Sequence, residues 1–262
     1  MQPAPQTRQI FVRPGFDPFA ASAYLFDIDG TLLNTRDGVH WNAFRTALRE
    51  VFAIESLLDT VPMHGNTDIG ILRAVTEQHG LSRENFERHL PRALAIMRDE
   101  VEQNCTNMQC DRCPGIDQLL DELRRRGKVL GIVSGNLESI GRKKIAAAGL
   151  SEFFSFGSFS DQVEQRTEIF RAGLHMAGQL VLQSPHHQIT QSLNPLSSRA
   201  CHCIFVGDTP ADVAAAQALG TPVIAVATGI YDFAELLASS PDACVPCCTD
   251  LPVAGGERWQ RD

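Results

Sequence analysis

Four aspartates and a serine stand where short apolar runs of the chain stop. Tyr24-Leu25-Phe26 ends at Asp27, with Asp29 two residues on. The run from Val129 to Val133 ends at Ser134, and Cys203-Ile204-Phe205-Val206 gives way to Gly207 and Asp208, with Asp212 four residues later. Carboxylates gathered from such ends repel one another, by about 4 kcal/mol per pair at ~4 Å and an effective dielectric of about 20. A cation relieves that repulsion. Hard oxygen ligands with room for water and a phosphate suit Mg²⁺. Taken singly, each aspartate fits a duller role, since Asp208 precedes a helical stretch and Asp27 lies in a DxDG turn. Their joint placement at strand ends is what points to a site.

Positioning these groups requires a sheet. The apolar runs, a fourth of which spans Val223 to Val226 before Thr228-Gly229, are continuous rather than alternating. That pattern fits strands buried on both faces. Helical patterns lie between them. Leu119, Leu120 and Leu123 space one helix, closed by Arg124-Arg125-Arg126-Gly127. The basic run suits the negative helix end and Gly127 a C-terminal cap. The same stretch is no phosphate-binding Walker loop, because Glu122 stands where Gly is required. Ile140–Ala148 and Ala211–Leu219, the latter followed by Gly220, are two more helices. Alternating strands and helices predict an α/β fold, a doubly wound parallel sheet, whose ligands bind beyond the carboxyl ends of the strands.

Residues 37–111 differ. Trp41, Phe44, Ala47, Leu48 and Val51 keep helical spacing, followed by helical stretches at Ile69–Gln78 and Phe86–Val101, with no strand pattern. The expected organisation is a core of residues 23–36 and 112–251, an inserted all-helical cap of residues 37–111 returning through Asp111–Gly115, and an N-terminal tail of residues 1–22. Residues 183–199, with His186 and His187, read as an irregular loop of solvated side chains.

Composition narrows the partners. With 44% hydrophobic and 21% charged residues in 262, the chain is a packed globule, and no apolar run reaches the ~18 residues of a membrane span. A net charge of −8 disfavours nucleic acid and does not steer small anions in, so an anion site must be built locally. The N-terminal stretch lacks a secretory signal, so a cytoplasmic protein with reduced cysteines is expected. Cys110/Cys113 and the group Cys244, Cys247 and Cys248 are about 130 residues apart, wider than zinc sites usually run, and read as unligated thiols. Cys201 and Cys203 flank a strand and read as small apolar residues.

FDIDGTLLNT (26–35), GIVSGN (131–136) and VGDTPADV (206–213) follow one another in the order and spacing of the haloacid dehalogenase superfamily. From about residue 23 to 251 the chain resembles its phosphoglycolate phosphatase-like and β-phosphoglucomutase-like branch, and the helical insert sits where that branch carries its cap. The resemblance implies a Rossmann-like core and a Mg²⁺-dependent phosphatase acting on a small phosphorylated metabolite. Asp27 would be the nucleophile forming an aspartyl-phosphate, and Asp29 the general acid and then base. Ser134, with backbone donors near Gly135 and Asn136, would hold a phosphoryl oxygen, and Thr31 of the first motif would contact substrate. Asp27, the carbonyl of Asp29 and Asp208 would ligate Mg²⁺, with Asp212 in its outer surroundings. The family's third motif supplies a Lys beside the nucleophile. Here SFGSFSDQVEQRTEIFRAGL (155–174) resembles a branch with Arg at that position, which points to Arg166, with Lys143 as the alternative.

His64-Gly65-Asn66-Thr67-Asp68 resembles the cap's substrate-facing loop, and Gly65, Asn66 and Thr67 are taken as substrate contacts; Asn66 or Thr67 as a helix cap is compatible with that. Asn34, Thr35 and His40, near the first crossover, are further candidates. Two other functions stay open: a phosphomutase of the β-phosphoglucomutase type, and a non-catalytic binding module on the same fold. Dehalogenation is disfavoured, because Asp29 and the acidic fourth motif suit a metal-bound phosphate. Oligomeric state is open.

Overall fold

The computed structural model describes residues 9–55, 61–183 and 203–252. The expected loop at 184–199, with its two histidines, and Cys201 lie outside them. Nine strands and eight α-helices occur among the described residues. Seven strands form one sheet in the order β1-β9-β8-β7-β2-β5-β6. In chain order these are β1 (Phe11–Val12), β2 (Ala23–Phe26), β5 (Val129–Val133), β6 (Phe156–Ser158), β7 (Cys203–Gly207), β8 (Val223–Val226) and β9 (Ala243–Val245). All pairs are parallel except β1 with β9. The doubly wound α/β sheet is therefore as the apolar runs require.

Strand β2 is central, paired with β5 on one side and β7 on the other, and all four of its residues are buried. Its side chains alternate between two cores. Tyr24 and Phe26 pack on one face with Leu119, Leu120 and Leu123 of α4 (Ile116–Arg125) and Ile145 of α5 (Glu138–Ala147). Ala23 and Leu25 pack on the other with Ile169 and Phe170 of α6 (Arg166–Gln183), Val213 of α7 (Pro210–Ala218) and Leu236 of α8 (Phe233–Ala238). Gly127 takes a φ of 66° just past α4, as a C-terminal cap requires.

The insert carries α1 (Val39–Phe52), α2 (Asp68–Gln78) and α3 (Arg83–Asn104). Phe44, Ala47 and Leu48 of α1 meet Phe86, Ala93 and Met97 of α3 in a core of their own, which Leu137 and Ile140 join from the main domain. Two short strands, β3 (Leu33–Thr35) and β4 (Cys110–Arg112), pair antiparallel where the chain leaves and re-enters the main domain. The stretch read as wholly helical thus ends in a strand, and the segment read as a tail supplies β1. Both strands are two or three residues long and not buried throughout, so neither leaves an apolar run in the sequence. No described helix is long and apolar enough to cross a membrane.

Candidate active site

Three strand ends meet at Asp27. The central position of β2 puts Asp27 between the ends of β5 and β7, with its backbone N–H bonded to the Val206 carbonyl at 3.0 Å. Oxygens of Asp27, Asp208 and Asp212 all lie within 4.8 Å of one another, and all three residues are buried. Asp212 is fixed by its place in α7: Thr209 caps the helix, and its N–H and hydroxyl both donate to Asp212 Oδ2, at 3.0 and 2.7 Å. Arg166, first residue of α6, donates through Nε to Asp212 Oδ1 at 2.9 Å and reaches Asp27 Oδ2 with Nη2 at 3.0 Å. Lys143, the alternative, points elsewhere, pairing with Glu102 of the cap at 2.8 Å.

One guanidinium does not balance three carboxylates. Burial pushes Asp27 from 3.8 up to about 7, with Arg166 pulling the other way, and burial and the charge of Asp212 raise Asp208 as well. Asp208 Oδ1 accepts from the Thr31 hydroxyl at 2.9 Å, while Oδ2 is buried without a hydrogen-bond partner. A buried carboxylate oxygen with nothing to accept is costly. The space around it is kept open by glycine: a Cβ on Gly30, whose φ is 84°, or on Gly229 would collide with the Asp208 carboxylate. An orphan oxygen, two further carboxylates and a glycine-lined cradle fit a hard divalent cation.

Asp29 is held apart from this trio. Its two oxygens receive Lys144 Nζ at 2.8 Å each, and Oδ2 also accepts from Asn136 Nδ2 at 2.8 Å. Burial raises its pKa, but the charge and hydrogen bond of Lys144, with Asn136, outweigh this and hold the carboxyl below its ordinary value. Lys144 also donates to Asn136 Oδ1 at 2.8 Å, and Asn136 Nδ2 reaches Ser134 Oγ at 2.9 Å. Ser134, Asn136, Asp29 and Lys144 thus form one network beside Asp27. If Asp29 is a metal ligand, its backbone carbonyl must serve, as expected, because its carboxylate is committed here.

Lys144 was not anticipated. Two adjacent lysines hide the difference between them, yet helical spacing holds a signal: Lys144 is four residues after Ile140, on the buried face of α5.

A cavity of about 510 Å³ opens over Asp27 and Ser134 and is roofed by the cap. Gly65 and Asn66 line it, as do Asn34, Thr35 and His40, together with Gly135 and Asn136. Thr31 and Thr67 do not, and their expected substrate contacts are replaced by other work. Thr31 is fully buried beneath Asp208. Thr67 caps α2 by accepting from Gly70 N–H at 3.0 Å and donates its hydroxyl to the Glu164 carbonyl at 2.8 Å, tying cap to core. Around that tie, Arg73 binds both Glu164 oxygens at 2.8 Å, Arg98 binds Asp161 at 2.9 Å, and the Asp68 N–H donates to the Gly135 carbonyl at 2.8 Å. Gly135 permits this approach: a Cβ there would strike the backbone of Asn66 and Thr67.

Comparison with known families decides the broader assignment. The model of the haloacid dehalogenase-like hydrolase family matches residues 24–226. The chain belongs to that family. Haloacid dehalogenase-like relatives of known name include the phosphoglycolate phosphatase of Photorhabdus laumondii, 24% identical over 232 residues that cover 87% of this chain and 90% of that one. The phosphoglycolate phosphatase of Yersinia pestis is 26% identical, covering 84% and 86%. The crystal structure of CbbY from Rhodobacter sphaeroides in complex with phosphate superposes with a TM-score of 0.61 at 18% identity, covering 90% and 98%, and speaks to the fold alone. The chain is thus a haloacid dehalogenase-like hydrolase, similar to proteins named as phosphatases.

Proposed function

We propose that the chain is a Mg²⁺-dependent phosphatase of a small phosphorylated metabolite, working through a phosphoryl group carried on Asp27. The observation that carries this reading is the carboxylate trio at the end of the central strand, with one oxygen of Asp208 buried and unpartnered. Asp27, the Asp29 carbonyl and Asp208 would hold the ion, with Asp212 beside it. When bound, Mg²⁺ supplies positive charge against the cluster and the phosphate.

The chain's own residues do the rest. Asp27 attacks phosphorus, the bond from phosphorus to the alcohol oxygen breaks, and that oxygen takes a proton from Asp29, which must therefore leave its ionised, Lys144-paired state and carry a proton when substrate is bound. Water then attacks the same phosphorus and gives a proton to Asp29, which frees phosphate and restores Asp27. Ser134 and the backbone N–H groups of Gly135 and Asn136 would hold phosphoryl oxygens. Arg166 stays charged throughout, orients Asp27 and separates it from Asp212. Lys144 and Asn136 fix the direction of the Asp29 carboxylate. The cap shields the site from bulk water. A cytoplasmic setting is part of the same proposal.

Phosphate release from 4-nitrophenyl phosphate, measured with Mg²⁺ and again with excess EDTA, tests the activity: release should need the ion and vanish with the chelator. A thermal-shift series tests the ion site without activity. Folded Asp27 keeps its proton to about 7 whereas the unfolded carboxyl loses it near 3.8. The folded state therefore binds more protons across that window, and stability falls as pH rises through it. A cation removes this penalty. Saturating Mg²⁺, at about 100 times its Kd, should stabilise by about 2.7 kcal/mol at pH 8 and raise Tm by about 5–10 °C, with a smaller rise at pH 5.5. Equal shifts at both pH values would contradict the assignment of the trio as the ion site.

A further inference from the structure

The cavity's charge inventory speaks to the leaving group. The carboxylates of Asp27, Asp29, Asp37 and Asp68 line it, against two permanent cations, Lys144 and Arg166. Both cations are already engaged, Lys144 by both oxygens of Asp29 and Arg166 by Asp27 and Asp212. Neither is left to meet a second anion on a substrate. Among its described residues the cap wall adds no lysine or arginine: it presents Trp41, Phe44, Met63 and Ile71, with His64 and Asn66 beside them. Of the two cavity histidines, His64 and His40, the latter stacks on Phe44 with ring centroids 4.9 Å apart and sets Nε2 3.3 Å from Asp68 Oδ2.

Size points the same way. At about 510 Å³ the cavity falls within the roughly 300–1,000 Å³ of sites that enclose ligands much larger than a two-carbon acid. A mostly apolar wall gains from burying an apolar body and loses from burying an unpaired charge.

Resting on the phosphatase reading above, we infer that the substrate is a phosphomonoester whose alcohol carries no second anionic group and presents an apolar face of about ring size to the cap. Phosphoglycolate, the substrate named for several relatives, would bring its carboxylate to a cap wall of aromatic, aliphatic and aspartate side chains with His40, His64 and Asn66 among them, which offers no lysine or arginine among its described residues.

The test compares kcat/KM of the full chain, with Mg²⁺, on three esters that all release a primary alcohol: benzyl phosphate, 2-hydroxyethyl phosphate and phosphoglycolate. The second and third differ only in a hydroxymethyl group against a carboxylate. Benzyl phosphate should be the best, and 2-hydroxyethyl phosphate should exceed phosphoglycolate at least tenfold. Met63→Lys, which adds a cation to the wall, should narrow that second ratio. Phosphoglycolate turned over as well as 2-hydroxyethyl phosphate, or better, overturns the inference and leaves the phosphatase reading standing. Benzyl phosphate turned over more slowly than 2-hydroxyethyl phosphate overturns it too. Failure of all three, and of 4-nitrophenyl phosphate with them, removes the phosphatase reading and the inference together.

Discussion

Asp27→Asn should abolish phosphate release from 4-nitrophenyl phosphate, by roughly 10⁴-fold or more, as expected when a covalent nucleophile is removed. The amide is nearly isosteric, and its oxygen can still accept from Arg166 Nη2, which lies 3.0 Å from Asp27 Oδ2. What it lacks is a charge and a nucleophilic lone pair of carboxylate strength. The same substitution takes one negative charge out of a buried trio in which, beside burial, Asp212 raises Asp27 and Asp208 and Asp27 raises Asp208. Without Mg²⁺ at pH 8 the variant should therefore melt no lower than the parent, and its response to Mg²⁺ should shrink. This pairing separates chemistry from folding: lost activity with undiminished stability is the signature of the nucleophile. Activity within tenfold of the parent would sink the assignment of Asp27, whatever the melting temperature.

The parts of this architecture that were legible in the sequence share a physical cause. β2, β5, β7 and β8 are buried runs of four or five residues, so each had to be written in apolar letters, and the polar residue that ends each run marks a site-facing strand end. The cap helices showed through their spacing because each buries one face against another helix. β1 and β4 bury little and left no pattern. Among site residues, Asp27, Asp208 and Asp212 followed from strand ends. Arg166 followed only from family resemblance, because a basic residue opening a helix carries no signal of its own. Thr31 and Thr67 show the limit of motif reading: each sits within a motif that borders the cavity, yet its hydroxyl is spent inside the protein, on Asp208 and on the Glu164 carbonyl. Lys144 was obscured by Lys143, and only the face of α5 on which it falls tells the two apart.

The Asp29–Lys144 pair yields an asymmetric expectation. The Lys144 side chain is 4% exposed and that of Asp29 is 37% exposed. In Lys144→Met the remaining carboxylate can reach water, and the methionine stem fills much of the space, so stability should fall by less than about 2 kcal/mol. In Asp29→Asn the buried ammonium keeps only uncharged acceptors, the new amide and Asn136 Oδ1, and the loss should be about 3 kcal/mol or more, the range for stranding one member of a buried pair. Activity should rank the same way for a different reason. Asp29→Asn removes the proton-transfer group, worth about 10²–10⁴-fold in kcat. Lys144→Met leaves that group in place but frees its rotamer, and should lower kcat by about 10–100-fold with little change in KM. The double variant decides between pairing and independent roles. With both charges gone, the stranded ammonium is gone too, so stability should recover towards that of Lys144→Met while activity stays at the level of Asp29→Asn. Urea unfolding of the four proteins, alongside their kcat values, measures both cycles. Additive stability losses would mean that the 2.8 Å contacts between Lys144 and Asp29 carry no coupling, and the positioning role of Lys144 would fall with them.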